Sequence, residues 1–187
     1  MFKELAQDFI MKQVSSQISK ATWIDADAIH KVTDEWLGSI ILWLAKNVGS
    51  KEWAEWLFDA VKKDHDGSIL DNIDSLFGEQ KQEEWWKILD HIFGNKKEAI
   101  ETQIGKDTGL DMWQVASILK TVAPLVLGML GKQTKDNWFG LDDIVWMLTN
   151  EKEEVAKKSE WLWIFGKLLD QDGDGDFDMI DAFKLAT

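Results

Sequence analysis

Apolar side chains return every three or four positions along most of the chain, which is the period of a helix with one buried face. Phe2, Leu5, Phe9, Ile10 and Val14 carry this pattern across Phe2–Ser19. Asp25 stands where it can cap a following helix whose inward face holds Ile29 and Val32. Leu37–Leu44 is almost unbroken apolar sequence and predicts a buried helix that ends near Asn47-Val48-Gly49. Ser50 is placed as the N-cap of a helix over Lys51–Lys63, with Trp53, Trp56, Leu57 and Val61 on one side. Asp64-His65-Asp66-Gly67 breaks that helix, and Ile69–Phe77 is expected to resume it with Ile69, Ile73 and Leu76 aligned. Further on, Trp85–Phe93 and Lys96–Gly105 read as helical, and Asp111 and Gln114 have the spacing of a capping box. Pro124 lacks an amide proton and predicts a kink or break, with Val122–Leu130 as a second central helix. Gly131–Gly140 is expected to be a loop, Leu141–Leu148 a short helix and Glu151–Leu169 a longer one. No alternating run is long enough for a strand, so the pattern predicts an all-α fold.

The pattern also repeats. At one constant offset of 86 residues, Gln17, Ile18, Lys20, Thr22, Asp25, Leu44 and Lys46 match Gln103, Ile104, Lys106, Thr108, Asp111, Leu130 and Lys132. Ile24, Ile29, Val32 and Ile40 meet the apolar Leu110, Val115, Ile118 and Val126 at the same offset. Each copy reads as a short helix, a T-x-[I/L]-D cap and a mostly apolar helix. An apolar helix must be covered by other helices, so the expectation is a multihelical single domain with an internal two-fold repeat around two buried central helices. Residues 1–150 are expected to form one helical domain, with repeats over about 5–47 and 91–133, and residues 151–187 a helix plus an acidic loop packed on it.

Composition narrows the function. A chain of 187 residues with net charge −13 is poorly suited to nucleic acid, whose binding depends on neutralising phosphates, or to anionic membrane surfaces. Arginine is absent, which removes the forked reader of phosphates and carboxylates. Cysteine is absent too, which removes disulfides, thiolate metal sites and cysteine nucleophiles. Lys3, Glu4, Asp8 and Lys12 interrupt the first apolar run, so no signal peptide is read there. The apolar run at Val122–Leu130 is too short to span a bilayer, and a cytoplasmic location is the expectation. Twelve Trp beside no Tyr and a single Pro are anomalous. Trp23 stands where the other copy has Gly109, Trp85 and Trp86 are adjacent among charges, and Trp138 lies in a turn-like run. One reading is that these rings fill a helical core. The other is that UGA codons, read here as Trp, specify Gly in the native host.

The clearest site chemistry is near the C-terminus. Asp170-Gln171-Asp172-Gly173-Asp174-Gly175-Asp176-Phe177-Asp178-Met179-Ile180-Asp181 fits D-x-D-x-D-G-x-φ-D-x-x-D and resembles the twelve-residue calcium loop of EF-hands and dockerin-like repeats. In such a loop, side chains at positions 1, 3 and 5 converge, a Gly at 6 permits the turn, the carbonyl at 7 faces inward and a carboxylate at 12 closes the shell. Those roles fall to Asp170, Asp172, Asp174, Gly175, the Asp176 carbonyl and Asp181, with Asp178 at position 9. Two carboxylates about 5 Å apart repel by roughly 3 kcal/mol at an effective dielectric of about 20, so a divalent cation would relieve the loop. Asp181 is a shorter arm than the usual Glu, and no second full loop is present to pair with it. One structural calcium ion is therefore the expectation.

The first acidic turn is a weaker candidate. Asp64, Asp66, Asp71 and Asp74 are close in sequence, but Ile69 stands where a calcium loop needs Gly, and capping carboxylates explain them as well. His65 between two aspartates would suit acid–base work in a hydrolase, but it reads first as a surface histidine. His30 and His91 are isolated, and no metalloprotease, nucleotide-binding or nucleophile-elbow motif appears.

Three runs then suggest a family. Lys63-Asp64-His65-Asp66-Gly67-Ser68-Ile69-Leu70-Asp71, Ile88-Leu89-Asp90-His91-Ile92-Phe93-Gly94 and the segment from Thr108-Gly109-Leu110-Asp111 to Ala123-Pro124-Leu125-Val126-Leu127-Gly128 resemble the YidB-like family of bacterial proteins of unknown function. The resemblance covers roughly residues 1–150 and implies a multihelical fold around two central helices. It implies no catalytic residues. The expectation is a non-enzymatic protein that binds one calcium ion and acts through a protein partner or self-association. Its competitors are a hydrolase at Asp64-His65-Asp66 and a Trp-mediated binder of membrane interfaces.

Overall fold

Two long apolar helices form the middle of the molecule, and the other elements cover them. The computed structural model describes residues 2–77, 97–136 and 139–158. Among these described residues are seven α-helices and two 3₁₀ turns, with no strand. The helices are α1 (Phe2–Gln13), α2 (Ser15–Thr22), α3 (Ala26–Asn47), α4 (Lys51–Lys63), α5 (Lys97–Thr108), α6 (Met112–Asp136) and α7 (Leu141–Lys158). The 3₁₀ turns, Ser68–Asp71 and Ile73–Phe77, follow α4.

Local chemistry sets the helix starts. The Asp25 carboxylate accepts the Ala28 amide at 2.9 Å and opens α3. Asp111 does the same for Gln114 at 2.8 Å, and the Gln114 side chain accepts the Asp111 amide at 3.1 Å, completing a reciprocal cap on α6. Ser50 caps α4 through the Trp53 amide. The start of α1 is satisfied from far along the chain. The Glu151 carboxylate of α7 accepts the Phe2 amide at 2.5 Å and the Lys3 amide at 3.4 Å, which answers two otherwise orphaned donors.

The core is built from α3 and α6. Ile29, Val32, Leu37, Ile40, Ile41 and Leu44 of α3 are fully buried, as are Val115, Ile118, Val122, Val126 and Leu130 of α6. Each such side chain is worth roughly 1.5–3 kcal/mol of burial. Ile144, Leu148 and Val155 place α7 in the same core, against α3. Trp43 of α3 meets Trp53 of α4 edge to face at 5.0 Å, which anchors α4.

Several boundaries differ from the sequence expectation. The first helix divides at Val14 into α1 and α2. The predicted buried helix at Leu37–Leu44 is the second half of a continuous α3, because the buried face begins at Ile29. Pro124 lies inside an unbroken α6. A proline there costs roughly 3 kcal/mol, which the burial of Ala123, Leu125, Val126 and Leu127 around it offsets. The helix runs on to Asp136, so most of the expected loop at Gly131–Gly140 is helical. The two helices predicted after Gly140 are one, α7, as far as Lys158. Ile69–Phe77 forms 3₁₀ turns rather than an α-helix. Trp56 is 42% exposed, so it turns away from the inner face that Ala54, Leu57 and Val61 form. Finally, α6 is long and apolar enough over Met112–Lys135 to cross a bilayer, yet 72% of that window is buried within the protein.

Candidate functional site

The turn after α4 is held against α6 by two glycines one helical turn apart. A Cβ on Gly131 would overlap the His65 carbonyl oxygen, and one on Gly128 would lie 2.5 Å from Ile69 Cγ2. Gly67, at φ 91°, supplies the left-handed turn that starts the first 3₁₀ segment. The backbone from His65 to Ile69 therefore lies directly on the helix, and His65 is part-buried as a result.

This seating gives Asp66 a structural role. Asp66 accepts the Ser68 amide at 3.1 Å and the Lys135 ammonium at 3.1 Å. The Ser68 amide, then the Ser68 hydroxyl and Lys135, hold its carboxyl down to about 2. Burial lowers the His65 pKa, and the neighbouring Asp64 opposes that only in part. Asp64, His65, Ser68, Asn72 and Ser75 border an open depression of about 410 Å³. Asp71 and Asp74 fall in the 3₁₀ turns. Among the described residues no group of three or more His, Asp or Glu side chains is arranged to hold a metal ion. The capping reading of this turn agrees with the contact that Asp66 makes to the Ser68 amide. Ile69, where a calcium loop needs Gly, packs on Gly128 of α6.

A second depression, of about 550 Å³, lies between α1, α3 and α7. Lys3, Asp8, His30, Asp34, Glu151 and Glu154 are on its walls. Lys3 pairs with Asp34 at 2.6 Å and Asp8 with Lys12 at 2.7 Å. His30, which carried no motif, thus borders a cleft.

Glu35 belongs to no sequence motif. It lies on α3, only 7% exposed, and among the described residues no hydrogen-bond partner meets its Oε2. Burial first, then the charge of Asp107, raise its pKa to about 7. The signal was available, since Glu35 occupies the apolar face between Val32 and Ser39. The candidate calcium ligands Asp170, Asp172, Asp174, Asp176, Asp178 and Asp181 lie outside the described residues, as does His91.

The helices, caps and seated turn define an all-α domain in which two apolar helices are enclosed by shorter ones. A family model described as a bacterial protein of unknown function, DUF937, matches residues 4–133, and the chain belongs to that family. The matched span begins in α1 and ends within α6. No curated protein and no solved structure matches the chain.

Proposed function

We propose that this chain is a non-enzymatic helical protein that holds one structural calcium ion in its Asp170–Asp181 loop and acts by binding a protein partner or a second copy of itself. The carrying observation is the donor set. Asp170, Asp172, Asp174 and Asp181 fall at positions 1, 3, 5 and 12, with Gly175 at 6, all in hard oxygen chemistry that suits calcium. A lone loop has no partner loop to open against, so a structural role fits better than a sensing one. Calorimetric titration of the full chain with calcium tests the proposal. It predicts one ion per chain, with affinity falling at least tenfold in Asp172→Ala; no heat on titration, or unchanged binding in that variant, ends it.

The hydrolase reading draws on His65 at the edge of the smaller depression. Against it, Asp66 is occupied by Ser68 and Lys135. A separate observation favours glycine at position 23 in the native chain. Trp23 is the one non-glycine residue at positive φ among the described residues, at 61°, and it is 92% exposed. That supports the reading of UGA as Gly, and the intact mass of the protein from its native host decides it.

A further inference from the structure

The end of α5 meets the middle of α3 at a seam with unusual charge. Lys31 and Glu35 lie one turn apart on the same face of α3. The Lys31 ammonium donates to the Asp107 carbonyl oxygen in the last turn of α5. Glu35 is buried beside this contact, and the groups acting on it are Asp107 from α5 and Lys31 and Asp34 from α3. Asp107 is held by the Gln103 side chain at 3.0 Å, and Asp34 by Lys3 of α1 at 2.6 Å. The buried carboxylate of α5 is Glu101, and that of α7, Glu151, is engaged at the start of α1. With Asp34 paired to Lys3, the charges left acting on Glu35 are Asp107, which disfavours its ionisation, and Lys31, which favours it less than Asp107 opposes it.

The molecule contains its own control. At the repeat offset, α2 lies against α6 as α5 lies against α3. There Lys31 is replaced by Ser117, Glu35 by Thr121 and Asp107 by Ala21. Thr121 is equally buried, and its hydroxyl donates to the Ser117 carbonyl at 3.2 Å. This kind of seam closes with a neutral residue at its centre, so packing alone does not call for a carboxylate at position 35.

We infer that the α3–α5 seam is a pH-sensitive latch, in which protonated Glu35 lets α5 dock on α3 and ionised Glu35, facing Asp107, loosens it. The sign follows from the raised carboxyl, about 7 in place of 4.5. The docked state holds a proton that the opened state releases, so docking weakens as pH rises from the ordinary carboxylate range through neutrality. With an ordinary carboxyl in the opened state, the open population grows about tenfold between roughly pH 6 and pH 8.

Hydrogen exchange of the full chain, expressed as protection factors, is the test. Protection across Lys97–Thr108 is expected to fall about tenfold over that range while Ser15–Thr22 stays level. Glu35→Gln, and Glu35→Thr as the copy of the other seam, are expected to abolish the fall. Protection of α5 that does not change with pH, an equal fall in α2, or a fall that survives both variants would each overturn the inference.

Discussion

Segments Ser15–Asn47 and Lys97–Asp136 reach the same cap by the same bonds and then differ in what is laid over them. In one, the Thr22 hydroxyl donates to the Ile18 carbonyl at 2.7 Å, and in the other Thr108 donates to Ile104 at 2.7 Å. Trp23 and Gly109 both turn into the left-handed region, at φ 61° and 77°. Their amides donate to Ser19 and Gly105 at 2.8 Å in each case. Asp25 and Asp111 then open the long helices. Local hydrogen bonding alone thus reproduces the geometry, whichever side chain stands at the turn. The differences come from tertiary neighbours. Gly131 sits beneath the His65 backbone, whereas its counterpart Ala45 carries a methyl group in the core.

The largest effect should come from that asymmetry. Gly131→Ala forces a methyl into the His65 carbonyl and should destabilise the fold by about 3 kcal/mol or more, since overpacking against backbone has little room to relax. Ala45→Gly should cost only about 1 kcal/mol. Urea unfolding of the two variants measures both, and equal losses would show that the turn does not lie on α6 as described.

Removing the caps should have a smaller effect. Asp111→Ala should cost about 1–2 kcal/mol and Asp25→Ala about 1 kcal/mol, because Asp111 belongs to a reciprocal pair with Gln114 and Asp25 does not. Thermal melts at equal chain concentration rank them, and a reversed order would contradict the shared-cap account.

What could be read from the sequence follows this split between local and distant causes. The T-x-[I/L]-D caps, the Ser50 start of α4 and both ends of α4 depend on residues within one turn, and the structure places them as expected. The unbroken α6 through Pro124 depends on burial from several sides, which no local pattern displays. The capping of α1 by Glu151 joins residues at opposite ends of the described chain, so no window contains the signal. Glu35 was visible as a charge on an apolar face, but its meaning required Asp107 from another helix. Of the candidate site, the capping character of the acidic turn at Asp64–Asp74 could be read locally, but where its backbone rests needed Gly128 and Gly131 of α6.

The claim at the centre of this account is that one cap geometry serves both segments and that its left-handed position favours glycine. The most direct measurement is the unfolding free energy of Trp23→Gly beside that of Gly109→Trp. A bulky residue in the left-handed region costs about 1–2 kcal/mol, offset in part by the greater freedom of glycine in the unfolded chain. A gain of about 1 kcal/mol is expected for Trp23→Gly and a loss of similar size for Gly109→Trp. A loss in the first variant, or no change in the second, would contradict it.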